Sequence, residues 1–154
     1  STIADLHKHP PEYPVFIRPD ADSKAFEGGI RSSSEWEILA AQLPPHLQVI
    51  VASPARVDAE YRVFMVNSNV VAASEYRREG QPSINGFVPD GVIDLALKAD
   101  SFWRPADAYV IDIARSGRRY GIVETNCIMA SRYYGADPKA IIVALCEMGG
   151  KGVC

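Results

Sequence analysis

The sequence predicts an α+β domain in which antiparallel β-hairpins form a sheet that helices cover. Two segments, 61–74 and 109–126, each hold two apolar, β-branched stretches separated by a short turn signal, Asn67-Ser68-Asn69 in the first and Ser116-Gly117 in the second. This pattern is typical of a hairpin. Amphipathic helical patterns alternate with the hairpins along the chain, and this mixture of helices and antiparallel hairpins indicates the α+β class.

The other elements are predicted from periodicity and from the residues that begin and end helices. A capping box at Ser34 and Glu37 starts a helix whose apolar residues recur at helical spacing until Pro44 and Pro45. In chain order, the elements are a strand at 15–17, this helix at 34–43, a buried strand at 47–52, the first hairpin, a helix at 92–99, the second hairpin and a helix at 139–148.

The two ends of the chain are predicted to lie outside the folded domain. Residues 1–14 are expected to form an irregular segment because prolines recur in HKHPPEYP, where His7 and His9 are expected to be exposed polar residues rather than metal ligands. The folded part is predicted at 15–148. Residues 149–154 are rich in glycine and are expected to form a flexible tail.

Composition and charge exclude several classes of partner. The formal net charge of -3 provides no electrostatic attraction for nucleic acid or an anionic membrane. Cys127, Cys146 and Cys154 have neither the even number of a disulfide framework nor the close spacing of a zinc site. No apolar run is long enough to span a bilayer. We therefore expect a cytoplasmic protein that binds neither nucleic acid nor membrane.

The second hairpin predicts a magnesium site. Pairing about its turn places Asp112 opposite Glu124, and Asn126, two residues further along the strand, joins them on the same face of the sheet. Oxygen ligands on one face suit Mg²⁺, which also offsets the repulsion between two carboxylates that have no cation between them. The alternative is a solvated sheet whose polar residues face water. The residues predicted for the opposite, apolar layer are Ile111, Ile113 and Val123.

A basic segment upstream of this hairpin predicts a phosphate-binding loop. Arg18 lies at a strand end, and Lys24 lies in a loop closed by Gly28 and Gly29. Backbone N–H groups approach phosphate closely at glycine, and an ammonium group supplies charge. The chain lacks both GxxxxGK[ST] and GxGxxG, which argues against the two nucleotide-binding folds that carry them. The alternative for Lys24 is a solvated side chain.

Arg62 is a third candidate, since it lies inside a predicted strand where a buried guanidinium needs a partner. Its rigid fork of N–H groups matches phosphate oxygens. The alternative is a salt bridge to Glu60 or Glu75 within the same hairpin. Tyrosine and arginine residues that either line an anionic substrate site or pack on the surface are Tyr76, Arg77, Arg78, Arg132, Tyr133 and Tyr134.

The order of these features resembles the ATP-grasp superfamily, whose members are ATP-dependent ligases that join a carboxylate to an amine or a thiol. The likeness runs from about Phe16 to Met148, and its most specific part is VID followed by IVETN. Within the superfamily, the chain is most similar to a bacterial and phage clade marked by an arginine and paired lysines. The resemblance implies an ATP-grasp-like core with two small halves, 15–53 and 54–148, around a nucleotide cleft.

The resemblance also implies a role for each candidate residue. Asp112, Glu124 and Asn126 would bind the magnesium ions that bridge the phosphates of ATP. Lys24 and Arg62 would be catalytic, because they would stabilise the phosphoryl group during transfer. Arg18 stands where many members of the superfamily have lysine. The residues implied to bind ATP are Arg18, Lys24, Gly28, Gly29, Ala52, Ser53 and Arg62.

The function implied by the resemblance is ATP-dependent ligation of a carboxylate to an amine, on small-molecule or peptide substrates, through an acyl phosphate. Phosphorylation is needed because the carboxylate alone would have to expel oxide, which is a poor leaving group. Two alternatives belong to other classes. One is an ATP-binding module without catalysis, either a fragment or a degenerate copy that acts through a partner. The other is a plain protein-interaction domain whose charged residues form surface ion pairs.

Overall fold

Two antiparallel sheets organise the chain, each within its own unit. The computed structural model describes residues 1–20 and 25–150, and the chain divides into the units Ser1–Ala55 and Arg56–Cys154. This division lies close to the predicted boundary between 53 and 54. In chain order the elements are α1 (Ile3–Lys8), β1 (Val15–Pro19), β2 (Gly29–Arg31), α2 (Ser33–Ala40), β3 (Val49–Ala52), β4 (Ala59–Val66), β5 (Asn69–Arg78), β6 (Gln81–Asn85), α3 (Asp90–Phe102), β7 (Ala108–Ser116), β8 (Arg119–Cys127), a 3₁₀ turn (Ile128–Ala130) and α4 (Pro138–Gly149).

The first unit is a three-stranded sheet, in the order β2-β1-β3, with helices on one face. Alternate residues of β1 point to opposite faces, so Val15 and Ile17 are buried while Arg18 is exposed. The core under the helices consists of Ile3, Leu6, Val15, Ile17, Trp36, Ala40 and Val49. The opposite face of this small sheet therefore carries the exposed Arg18.

The structure corrects two predictions for this unit. The amino-terminal segment is not irregular throughout, because Thr2 and Asp5 form a capping box that starts α1. Helix α2 begins two residues earlier than predicted: Ser32, not Ser34, is the N-cap, and its partner is Glu35. Both serines fit the pattern Ser-x-x-Glu, and only the path of the chain out of β2 decides between them.

The second unit is a five-stranded sheet, in the order β6-β5-β4-β7-β8, with one helix against each face. Helix α3 packs on one face, over Tyr61, Val63 and Ile111 among others. Helix α4 packs on the other face, over Phe64 and Val110. Both faces of the central strands β4 and β7 are thus buried, as the continuous burial along β4 shows. None of the helices in the described residues is long and apolar enough to cross a bilayer.

Both predicted hairpins are confirmed, and their strands are longer than predicted. The first turn places Asn67 and Ser68 at φ 47° and 63°, and the second places Gly117 at φ 59°. Asparagine and glycine tolerate this left-handed backbone. Strands β2 and β6 were not predicted, because both are short and expose most of their residues. The predicted tail at 149–154 lies outside the described residues beyond position 150.

The register of the second hairpin is the predicted one. Asp112 pairs with Glu124, and Val110 pairs with Asn126. The prediction that Val123 enters an apolar layer is wrong: its side chain is 53% exposed. The register shifts between Asp112 and Ile113, which leaves Val123 without an opposite residue on β8, the edge strand of the sheet.

We predict that Ser32→Ala lowers the free energy of unfolding by about 1 kcal/mol, since it removes the cap of α2. The matched control is Ser34→Ala, which lies inside the first turn and should change stability by less than about 0.5 kcal/mol. Urea unfolding followed by the fluorescence of the buried Trp36 measures both. Equal losses in the two variants would contradict the observed cap.

Candidate active site

A row of polar residues crosses four strands of the larger sheet. Ser74, Arg62, Asp112 and Glu124 lie directly opposite one another on β5, β4, β7 and β8. Directly opposed residues share a face, and Asn126, two residues from Glu124, lies on that face as well. The register thus brings the three predicted magnesium ligands together with Arg62, next to the apolar residues that α4 covers.

Arg62 and Asp112 form a buried, bidentate ion pair. Arg62 Nε donates to Asp112 Oδ1 at 2.8 Å, and Nη2 donates to Oδ2 at 2.7 Å. The exposed fraction is 9% for Arg62 and 1% for Asp112. The hydrogen bonds to Asp112 raise the pKa of Arg62 above its usual value. The alternative partners Glu60 and Glu75 are wrong, because a residue from another hairpin takes this place.

Those two glutamates bind other residues of the first hairpin. Glu60 accepts hydrogen bonds from the Tyr76 hydroxyl at 2.6 Å and from Arg77 Nη1 at 2.9 Å. Glu75, on the face that α3 covers, is bound by both Arg78 and the Ser83 hydroxyl. Each of these two carboxylates is therefore matched by an arginine.

Two tyrosine rings, which we name the aromatic clamp, pack on the guanidinium of Arg62. The rings of Tyr76 and Tyr134 stack, with centroids 5.0 Å apart and planes inclined by 18°. The Cζ atom of Arg62 lies 5.6 Å from the Tyr76 centroid and 5.3 Å from the Tyr134 centroid, within cation–π range. Burial, reinforced by the hydrogen bond to Glu60, raises the pKa of Tyr76, so its hydroxyl stays protonated and donates.

The oxygen atoms around Glu124 fit a magnesium ion. Glu124 is exposed, and its Oε1 accepts a hydrogen bond from Asn126 Nδ2 at 2.8 Å. Each oxygen of Asp112 accepts one bond from Arg62 and keeps a second lone pair. Carboxylate and amide oxygens are ligands that Mg²⁺ prefers. Within residues 1–20 and 25–150, no group of three or more His, Cys, Asp or Glu side chains is arranged to hold a metal.

The structure removes one argument for that metal site. The sequence argument took the two carboxylates to lie without a cation beside them. Arg62 supplies a positive charge to Asp112 directly, so charge repulsion alone does not require a metal there. What supports the magnesium prediction is the shared face and the chemistry of the donor atoms.

The predicted ATP-binding residues of the first unit form a separate group. Arg18 is exposed on β1 and donates from Nη1 to the Pro19 carbonyl at 3.0 Å. A Cβ at Gly28 would lie 2.8 Å from the Cβ of Arg18, so only glycine fits there. Ala52 is exposed at the end of β3, on the face that carries Arg18, since it pairs with Phe16.

Three further members of the predicted set have different positions. Gly29 is the first residue of strand β2 rather than part of a loop. Ser53 follows β3 directly and is exposed. Lys24, predicted to be catalytic, lies outside the described residues. The roles of all these residues remain predictions.

Solved structures with the same fold are ATP-grasp ligases. ATP-grasp ligase PsnB complexed with a phosphomimetic variant of a minimal precursor, Mg and ADP is 17% identical with a TM-score of 0.54, and the match covers 86% of this chain and 42% of that one. Macrocyclase MdnC bound with precursor peptide MdnA from Microcystis aeruginosa MRC is 13% identical, TM-score 0.55, over 88% and 46%. A Chryseobacterium gregarium RiPP-associated ATP-grasp ligase in complex with ADP and a leader and core peptide is 14% identical, TM-score 0.51, over 86% and 45%.

The sequence itself places the chain in this superfamily. The family model of an ATP-grasp domain, family 2 of its clade, matches residues 1–144, and the chain belongs to that family. No curated protein sequence matches it. The chain spans less than half the length of the solved ligases it matches.

We predict that Arg62→Met and Asp112→Leu each lower the free energy of unfolding by about 3 to 5 kcal/mol, because each leaves a buried charge without its partner. The double variant should lose less than the sum of the two single losses, with a coupling of roughly 1 to 3 kcal/mol in a double-mutant cycle. Urea unfolding measures all three variants.

The matched control for this cycle is Arg77→Met. The side chain of Arg77 is 49% exposed in its pair with Glu60, so its loss should cost about 0 to 1 kcal/mol. Losses for Arg62→Met as small as those for Arg77→Met, or simple additivity in the cycle, would show that the Arg62–Asp112 pair does not stabilise the sheet.

Proposed function

We propose that this protein is an ATP-dependent ligase that joins a carboxylate to an amine through an acyl phosphate. The observation that carries the proposal is the row of Arg62, Asp112 and Glu124, with Asn126 beside it, on one sheet face of a chain that belongs to an ATP-grasp family. This row puts a fixed cation and oxygen ligands side by side, which is the arrangement that phosphoryl transfer requires.

Each side of the row has its own part in the proposal. Arg62 Nε and Nη2 are bound to Asp112, while Nη1 makes no hydrogen bond to another described residue and is left to donate to a phosphate oxygen. Asp112, Glu124 and Asn126 would hold magnesium, which when bound neutralises phosphate oxygens.

The residues of the first unit would bind the nucleotide. Arg18 is exposed and offers its guanidinium to phosphate. Gly28 and Gly29 lead into β2, where backbone N–H groups are accessible to phosphate, and Ala52 and Ser53 would pair with adenine through their backbone. Lys24 would cover the phosphates and act with Arg62 in catalysis.

The reaction proposed proceeds in two displacements. A carboxylate oxygen attacks the γ-phosphorus of ATP, the bond to the bridging oxygen breaks, and ADP leaves. The amine nitrogen then attacks the acyl carbon, the bond from that carbon to the phosphate oxygen breaks, inorganic phosphate leaves, and the amine proton passes to solvent. The charge that develops on the phosphoryl oxygens lies where Arg62 would stabilise it.

We further propose that the carboxylate belongs to a peptide. The support comes from the ligands of the solved structures with this fold: PsnB, MdnC and the Chryseobacterium gregarium ligase were each solved with a precursor, leader or core peptide. An acidic side chain of a peptide satisfies the chemistry above without any change in the site.

We predict that the protein, given Mg-ATP, an acidic peptide and hydroxylamine, forms the peptide hydroxamate and releases phosphate in equal amounts, because hydroxylamine traps an acyl phosphate. Arg62→Lys keeps the charge but loses the fork, and it should slow hydroxamate formation by about 10²- to 10³-fold. Glu124→Gln should weaken the magnesium dependence of ATP binding, measured by calorimetry with and without a chelator.

The matched control is Asp94→Asn, an exposed carboxylate on α3 and therefore against the opposite face of the sheet. It should leave both hydroxamate formation and ATP binding unchanged. ATP binding without hydroxamate would replace the ligase with a nucleotide-binding module. Absence of ATP binding would overturn the proposal altogether.

A further inference from the structure

Tyr134 adopts a backbone conformation that is rare for an aromatic residue. Its φ is 51°, in the left-handed region, within the loop that connects the 3₁₀ turn to α4. Asparagine or glycine would take this conformation with less strain. Strained residues persist where the surrounding structure holds them, and they concentrate at functional sites. The ring contacts of Tyr134 therefore bear on why a tyrosine stands there.

Those contacts converge on one group, the guanidinium of Arg62. The Tyr134 ring stacks on Tyr76 at 5.0 Å and lies 5.3 Å from Arg62 Cζ. The loop is anchored by the preceding residue, Tyr133, whose ring lies 5.9 Å from that of the fully buried Phe64. The other ring of the clamp is fixed by its hydroxyl, which donates to Glu60. Both rings are thus held independently of Arg62.

We propose that Tyr134 is a positioning residue, which together with Tyr76 fixes the guanidinium of Arg62 so that its Nη1 edge faces the triphosphate of ATP. The inference rests on the proposed function for the identity of the anion, and on the contacts of the clamp for the positioning. The two hydrogen bonds to Asp112 hold one edge of the planar group, and the rings confine the plane itself. A planar fork held in this way loses less rotational freedom when it binds an anion.

The clamp is tested by variants that separate the ring from the backbone strain. Tyr134→Gly removes the ring and relieves the strain, while Tyr134→Phe keeps the ring and lacks only the hydroxyl. The matched control is Glu79→Gly, which relieves a similar φ of 48° at an exposed turn away from Arg62. Any effect of strain relief alone appears in this control.

Two measurements are made on each variant. The heteronuclear NOE of Arg62 Nε, by ¹⁵N NMR, should fall in Tyr134→Gly and stay at the wild-type value in Tyr134→Phe and Glu79→Gly. The Kd for Mg-ATP, by calorimetry, should rise by about 2- to 30-fold in Tyr134→Gly only, the range that one cation–π contact supports. Tyr134→Leu, which has bulk without an aromatic face, should behave as Tyr134→Gly and serves if the glycine variant does not fold.

The outcomes separate the two proposals. A wild-type NOE and a wild-type Kd in both Tyr134→Gly and Tyr134→Leu would overturn the positioning role. A protein that binds no ATP would overturn the proposed function, and the NOE of Arg62 would still decide whether the clamp holds the guanidinium. A loss of ATP affinity in Tyr134→Phe equal to that in Tyr134→Gly would assign the effect to the hydroxyl and contradict the clamp.

Discussion

The buried ion pair between Arg62 and Asp112 is the constraint on which the second unit depends. The central strands β4 and β7 are covered on both faces, so a charge on either strand must find its counter-charge within the sheet. Arg62 and Asp112 are opposite in register, and a slip of one residue would send both charges into the apolar layer under α3. The pair thus selects one alignment of the two strands.

The two faces of this sheet have different tasks as a result. The face under α3 is apolar in its centre, and its buried acid, Glu75, is bound by Arg78 at the edge. The face under α4 is divided: Phe64 and Val110 are covered by the helix, while the neighbouring row of Arg62 and Asp112 meets tyrosine rings. Apolar packing fixes the strands at one end of this face, and the charged row is held at the other.

Local patterns predicted much of this architecture and missed what depends on distant pairing. The Asp112–Glu124 register follows from one turn and the period of a strand, and it was predicted correctly. The partner of Arg62 was sought among glutamates of its own hairpin, but sheet order placed β7 beside β4, and no local signal reports that order. Ser32 and Ser34 fit the same capping pattern, and the exposure of Val123 follows from a bulge on an edge strand. The clamp was visible only as tyrosines near arginines, since a stack depends on where a loop folds back.

The separation of Arg62 and Asp112 along the chain, 50 residues, has a consequence for how the protein folds. The hairpins β4–β5 and β7–β8 join near neighbours, whereas β4 and β7 meet only after a long segment has closed, at a cost in chain entropy. High contact order slows folding. We therefore expect the hairpins to form early and their docking to limit the rate, with φ-values near zero at the Arg62–Asp112 pair if docking completes after the barrier. Substitutions there would then act chiefly on the lifetime of the folded state.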